Sequence, residues 1–177
     1  MFKTFALLLA LTFIGESSLA QRIPLTKDKV ENYIETRVKT HDLQLQYKAN
    51  EDKYDDVIMA YFNERNEWLE SQGWTGEEFD ATEEWILGVV SSIEAQRELD
   101  DENSEREEQF AEFDANEFLS DEQKQQMKDA MMESVVQRQG YIDIFKDDWP
   151  AVKPYLKKLK ELDDYIGGAT SSPPQIN

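Results

Sequence analysis

The sequence predicts an all-α fold, an antiparallel bundle of four to five helices, and three observations predict it. Apolar residues recur at i, i+3, i+4 and i+7 along most of the chain. No stretch alternates apolar and polar residues with β-branched enrichment, the mark of a half-buried strand. The helix-sized segments are separated by short connections carrying glycine, proline or capping residues, which is how neighbours in an antiparallel bundle are joined.

Residues 1–20 read as a secretory signal peptide ahead of the bundle. Met1-Phe2-Lys3 is a short basic start, Thr4 to Ile14 is an apolar run, and Ser18 and Ala20 place small residues at the −3 and −1 positions, so cleavage is expected after Ala20. The apolar run has eleven residues, well short of the roughly 20 that cross a bilayer. The cleaved chain is therefore expected to be periplasmic or secreted, with no membrane insertion. It has no cysteine, so it carries neither a disulfide nor a lipid on a cleavage-site thiol, and packing alone must stabilise it.

The bundle domain is expected over residues 21–167. Thr26 is the N-cap of a first helix with inward residues Val30, Tyr33, Ile34, Val38, His41 and Leu45. Asn50 opens a second, with the stripe Tyr54, Val57, Ile58, Tyr61, Phe62, Arg65 and Leu69, and Gly73 closes it. Thr75 and Glu78 form a capping box for a third, which buries Phe79, Thr82, Ile86, Val89, Val90 and Ile93. From Asp100 to Glu122 the chain holds eleven acidic residues against one arginine, a charge of −10. This segment reads as a helical extension followed by an acidic crossing loop, with Phe110, Phe113, Phe118 and Leu119 pinning it to the bundle; a disordered acidic linker is the alternative.

Ser120 with Gln123 is a second capping box, and Met127, Ala130, Met131, Ser134 and Val135 carry a fourth helix to Gly140. After an irregular stretch from Tyr141 to Phe145, Trp149-Pro150 begins the last helix, with Val152, Tyr155, Leu156, Leu159, Leu162 and Ile166 inward. Pro150 and Pro154 belong in its first turn, where their missing N–H groups would have no partner anyway. Gly167-Gly168 ends it, and residues 168–177 are expected to be a flexible tail.

The charge narrows the function. With 38 acidic and 19 basic residues the net charge is −19, which repels phosphate backbones and anionic lipid. Nucleic acid is excluded, and partners should be cationic or neutral proteins or peptides. His41 is the only histidine and there is no thiol, so the usual zinc, di-iron and cysteine-nucleophile sites cannot be built. The glycine-rich phosphate and dinucleotide motifs and the G-x-S-x-G elbow are absent as well. No catalytic residue, metal or cofactor is assigned, and the chain reads as non-enzymatic. Carboxylate-based hydrolysis remains as a distant alternative, requiring two buried carboxylates about 5–10 Å apart.

Partner-binding candidates are aromatic. Trp68, Trp74 and Trp85 cluster around the connection between the second and third helices, where they either floor a groove or close the end of the bundle. Phe110 and Phe113 sit in the acidic segment. Lys153, Lys157 and Lys160 form a stripe on the last helix that reads as a solvated face docking this segment weakly, with a basic patch for an anionic partner as the alternative.

The run Leu119-Ser120-Asp121-Glu122-Gln123, followed by Lys124-Gln125-Gln126-Met127, resembles the L-T-x-x-Q motif of the Spy/CpxP periplasmic chaperones. That resemblance implies an exported, helical holdase that works without ATP. The same run, with Val152-Lys153-Pro154-Tyr155, is also similar to uncharacterised exported helical proteins of Gram-negative bacteria, which implies an address and a fold. The expected function is partner binding by an exported, non-enzymatic helical protein, with a Spy-like holdase as the alternative.

Overall fold

The Thr26 hydroxyl accepts the Lys29 N–H at 3.1 Å and starts helix α1, Lys27–Ala49. In the computed structural model, which describes residues 24–176, α1 is followed by α2 (Val57–Ser71), α3 (Gly76–Ala115), α4 (Asp121–Phe145), α5 (Trp149–Val152) and α6 (Leu156–Ile166). Short 3₁₀ turns occupy Glu51–Lys53, Lys146–Asp148 and Lys153–Tyr155. The signal segment 1–20 and its cleavage point lie outside the described residues. Among those residues there is no strand, and the molecule is an all-α bundle.

The core is where α1, α2, the first half of α3 and the α5–α6 region converge. Val30, Tyr33 and Ile34 of α1 meet Leu69 of α2, Phe79, Ile86 and Val89 of α3, Val152 of α5 and Leu162 of α6. Ion pairs between Lys29 and Glu78 at 2.7 Å, and Arg37 and Glu83 at 2.9 Å, tie α1 to α3 at the margin of this core. The first also explains why the Thr75 capping box is only half made. Thr75 accepts the Glu78 N–H at 3.0 Å, but the Glu78 carboxylate turns to Lys29.

Several element expectations are corrected. Asn50 caps the end of α1, and Asp56 is the N-cap of α2. The seam of α2 is Val57, Tyr61, Arg65, Trp68 and Leu69, whereas Tyr54, Ile58 and Phe62 are exposed, Ile58 by 63%. Rows 57-61-65-69 and 58-62 lie about 100° apart around the helix, Tyr54 precedes it, and a short helix at the bundle's margin buries only one row. Leu45 is exposed for the same reason, since Leu43 and Tyr47 take the inward positions.

The segment 100–122 is neither a crossing loop nor a disordered linker. No glycine or proline falls between Gly88 and Gly140, so α3 runs on to Ala115, and the connection to α4 is only residues 116–120. Helix α4 likewise passes through Gly140 to Phe145, because Tyr141, Ile142 and Phe145 lie on its packing face. The last helix is divided. Pro150 and Pro154 each stand in the first turn of a separate segment, so two 3₁₀ turns alternate with α5 and α6. Gly168, with φ +74°, ends α6, and the tail lies back so that Ile176 is half-buried on the core.

Gly88 lets α4 approach α3. A Cβ built there would stand 2.5 Å from two atoms of the Phe145 ring. Gly88→Ala is expected to cost about 1–3 kcal/mol by overpacking, read from urea denaturation. Adding Phe145→Leu should recover part of that loss, and a single substitution with no cost would show that the ring is free to move aside.

Three tyrosines clamp α1. Tyr47 donates to Glu64 of α2, Tyr155 to Glu31 and Tyr165 to Asp42. The carboxylate bond first, and burial second, hold each phenol above its ordinary value of 10, with Tyr155 pushed up to about 12. An acid whose folded pKa is raised stabilises fully below the unfolded pKa and loses that contribution as pH rises toward the folded one. Urea midpoints are therefore expected to hold up to pH 10 and to fall between pH 10 and about 12. The Tyr155→Phe/Tyr165→Phe double variant should flatten that fall; an unchanged slope would show that the phenols are not its source.

Candidate functional site

Beyond Leu99 on α3 and before Ile142 on α4, the two helices leave the bundle as an antiparallel arm. It is about 24 Å long at roughly 1.5 Å of rise per residue. Leu99 and Ile142 are buried, and between them no residue is. The seam has two components. Phe110, Phe113, Met131 and Val135 are half-buried along it. Cations of α4 face acids of α3 across it.

Those cation contacts are specific. Arg138 makes a two-pronged pair with Glu102 at 3.1 and 2.7 Å, and its hydrogen bond holds the Glu102 carboxyl below the usual carboxylate range. Lys128 reaches both carboxylate oxygens of Asp114 at 2.6 and 2.7 Å and lies 5.7 Å from the centre of the Phe110 ring. Lys124 donates to the Asp114 carbonyl at 2.9 Å. The +1 of residues 123–140 is thus turned inward against the −10 of residues 100–122, which leaves the outer face of α3 acidic. Glu105, Glu108 and Glu112, at i, i+3 and i+7, are all exposed, with Glu105 at the edge of the cleft between α3 and α4.

The tip is ordered by its own side chains. Asn116 Oδ1 accepts the Phe118 N–H at 2.9 Å, and Ser120 with Gln123 closes the capping box through bonds of 3.3 and 2.9 Å. Leu119 is half-buried, whereas Phe118 is 97% exposed. Phe118 was expected to pin the segment to the bundle, but the bundle lies at the far end of the arm. No family profile, curated protein or solved structure matches this chain. The arm is therefore judged on its geometry.

The tryptophans do not form an open floor. Trp74 is buried edge-on against Phe79, with its ring centre 5.5 Å away and Lys29 Nζ 5.0 Å from its own ring. Trp85 is half-buried against Phe145 and donates to Asp148 at 2.9 Å. Trp68 is half-buried beside an open cleft of about 240 Å³ between α1 and α2. Packing claims the rings of Trp74 and Trp85, whereas Trp68 borders the cleft. Phe110 and Phe113, by contrast, are brought together with the acidic surface. The position of Phe118 just before the Ser120 cap is the signal that marks it as a turn residue.

The lysine stripe stays on α6. Lys157 and Lys158 approach Glu161, and Lys160 approaches Asp164, at 3.4–3.8 Å, while Lys153 lies over the Trp149 ring. Docking of the acidic segment is done by α4 instead. Among the described residues, no three His, Asp or Glu side chains are grouped to hold a metal ion, and no helix is long and apolar enough to cross a membrane. Asp148 is the carboxylate in the buried class, and its oxygens hold Leu25 and Trp85. His41 is buried edge-on to Tyr165, with ring centres 5.3 Å apart.

Proposed function

We propose that the protein is an exported, non-catalytic binder of a cationic or neutral protein or peptide, and that the α3–α4 arm is its binding element. The observation that carries this reading is an acidic helical hairpin that leaves the core and buries no residue of its own. The bundle gains no packed layer from it, whereas a partner gains a long surface on two sides. Its field draws cationic chains into encounter and weakens as salt screens it. The signal-like residues 1–20 support export.

A labelled oligolysine peptide tests this by fluorescence anisotropy. Binding is expected to weaken at least about tenfold between roughly 30 and 300 mM salt. The variant Glu105→Lys/Glu108→Lys/Glu112→Lys, altered only at exposed residues of α3, should bind about tenfold more weakly at the lower salt. Equal binding by both proteins would end the reading.

A Spy-like holdase is the second reading, favoured by exposed Met127, Met132 and Val136 on α4. Flexible apolar side chains of this kind adapt to varied unfolded clients. It requires suppression of client aggregation at near-equimolar ratio without nucleotide; turbidity that rises as fast as without the protein removes it.

A further inference from the structure

We propose that Phe118 is the anchor of the arm, inserting into an apolar pocket rimmed by lysine or arginine on a partner protein; this rests on the arm being the binding element. Three observations lead there. First, the ring is 97% exposed at the end of a projecting hairpin, while Phe110 and Phe113 nearby are half-buried. A single exposed apolar residue is ordinary, but this one stands at the apex of a projection and no described residue covers it.

Second, the ring is presented by a loop that is already fixed. Asn116 holds the Phe118 N–H, the Ser120/Gln123 capping box holds the following turn, and Lys124 and Lys128 tie the start of α4 back to Asp114. With Leu119 turned to the seam, Phe118 is directed away from it. An anchor held in this way loses little freedom when it docks, which is what distinguishes the few residues that dominate an interface from their neighbours.

Third, the surroundings specify the partner. From Glu112 to Glu122 there are five acidic residues, Glu112, Asp114, Glu117, Asp121 and Glu122, and no basic one. An apolar ring inside a carboxylate collar fits an apolar pocket with a cationic rim. The same collar opposes insertion into anionic lipid and repels a second copy approaching tip to tip.

The test compares two labelled peptides of equal charge: oligolysine, and an amphipathic leucine–lysine helix that presents an apolar stripe bordered by lysines. The wild-type protein should bind the amphipathic peptide about tenfold more tightly. Phe118→Ala, which removes an exposed side chain and should leave the circular dichroism unchanged, should bind both peptides at the oligolysine level. The triple lysine variant of α3 should lose both.

If Phe118→Ala keeps the preference, or the wild type has none, the anchor is wrong and the arm reading stands. If the triple variant binds both peptides like the wild type, the arm reading falls as well. Binding to phosphatidylcholine/phosphatidylglycerol vesicles that Phe118→Ala abolishes would make the occupant a lipid surface. A dimer in sedimentation that Phe118→Ala dissociates would make it a second copy. Either result overturns the proposal.

Discussion

Replacing Asp148 by alanine is expected to lower the unfolding free energy by about 3–5 kcal/mol. Asp148 sits in the 3₁₀ turn between α4 and α5, is 97% buried, and has one oxygen on the Leu25 N–H at 3.1 Å and the other on Trp85 Nε1 at 2.9 Å. One carboxylate thereby joins the start of α1, the first half of α3 and the α4–α5 corner. Alanine removes the acceptor and leaves two donors in a site closed to water. Each bond to a charged group contributes about 1.5–3 kcal/mol, and orphaning its partner adds the cost of desolvation. Asparagine keeps the shape but offers only one acceptor oxygen, so Asp148→Asn should cost about half as much. Urea denaturation followed by tryptophan fluorescence checks both. An alanine variant within about 1 kcal/mol of wild type would mean that solvent reaches the two donors.

Phe79→Ala should be of similar size, about 3–5 kcal/mol. Phe79 is among the largest fully buried side chains and touches three elements at once. Its ring lies 5.5 Å from that of Tyr33 on α1 and 5.5 Å from that of Trp74 in the α2–α3 connection, and the Arg65 guanidinium of α2 lies over it at 5.6 Å. Its removal deletes aromatic contacts that each contribute about 0.5–1.5 kcal/mol beyond area burial. It also opens a cavity that three separate elements cannot close together. Phe79→Leu should cost clearly less because most of the volume is kept. The same denaturation curves check this pair, and equal losses for alanine and leucine would show that packing volume is not what the site requires.

Both variants act on the bundle, and neither residue lies in the arm. A Phe79→Ala protein that remains folded should bind oligolysine like the wild type.

Three caps and two stops were legible in the sequence because they are local, whereas Asn50 and Gly140 were misleading. Thr26, Thr75 and Ser120 each accept the N–H three residues on, and Gly73 and Gly168 take positive φ beyond the ends of α2 and α6. The stripes of α1 and α3 were legible in most positions, since each helix has a single strong apolar row there. On α2, two apolar rows lie side by side, and only contact with α1 and α3 selects 57-61-65-69 over 58-62.

The candidate site was half legible. Phe110, Phe113 and the −10 of residues 100–122 were marked by composition alone. That the acidic run stays helical and projects was not, because it depends on Lys124, Lys128 and Arg138 arriving from α4 to neutralise its inner face. The sequence by itself determined the helical class, the caps at Thr26, Thr75 and Ser120 and the partition of charge, all of which follow from spacing along one chain. The tertiary structure alone decided that Trp74 and Trp85 are packed, that the acidic helix is an arm and that Phe118 stands free at its tip. Whether a side chain is buried depends on what lies opposite, and no local pattern contains that.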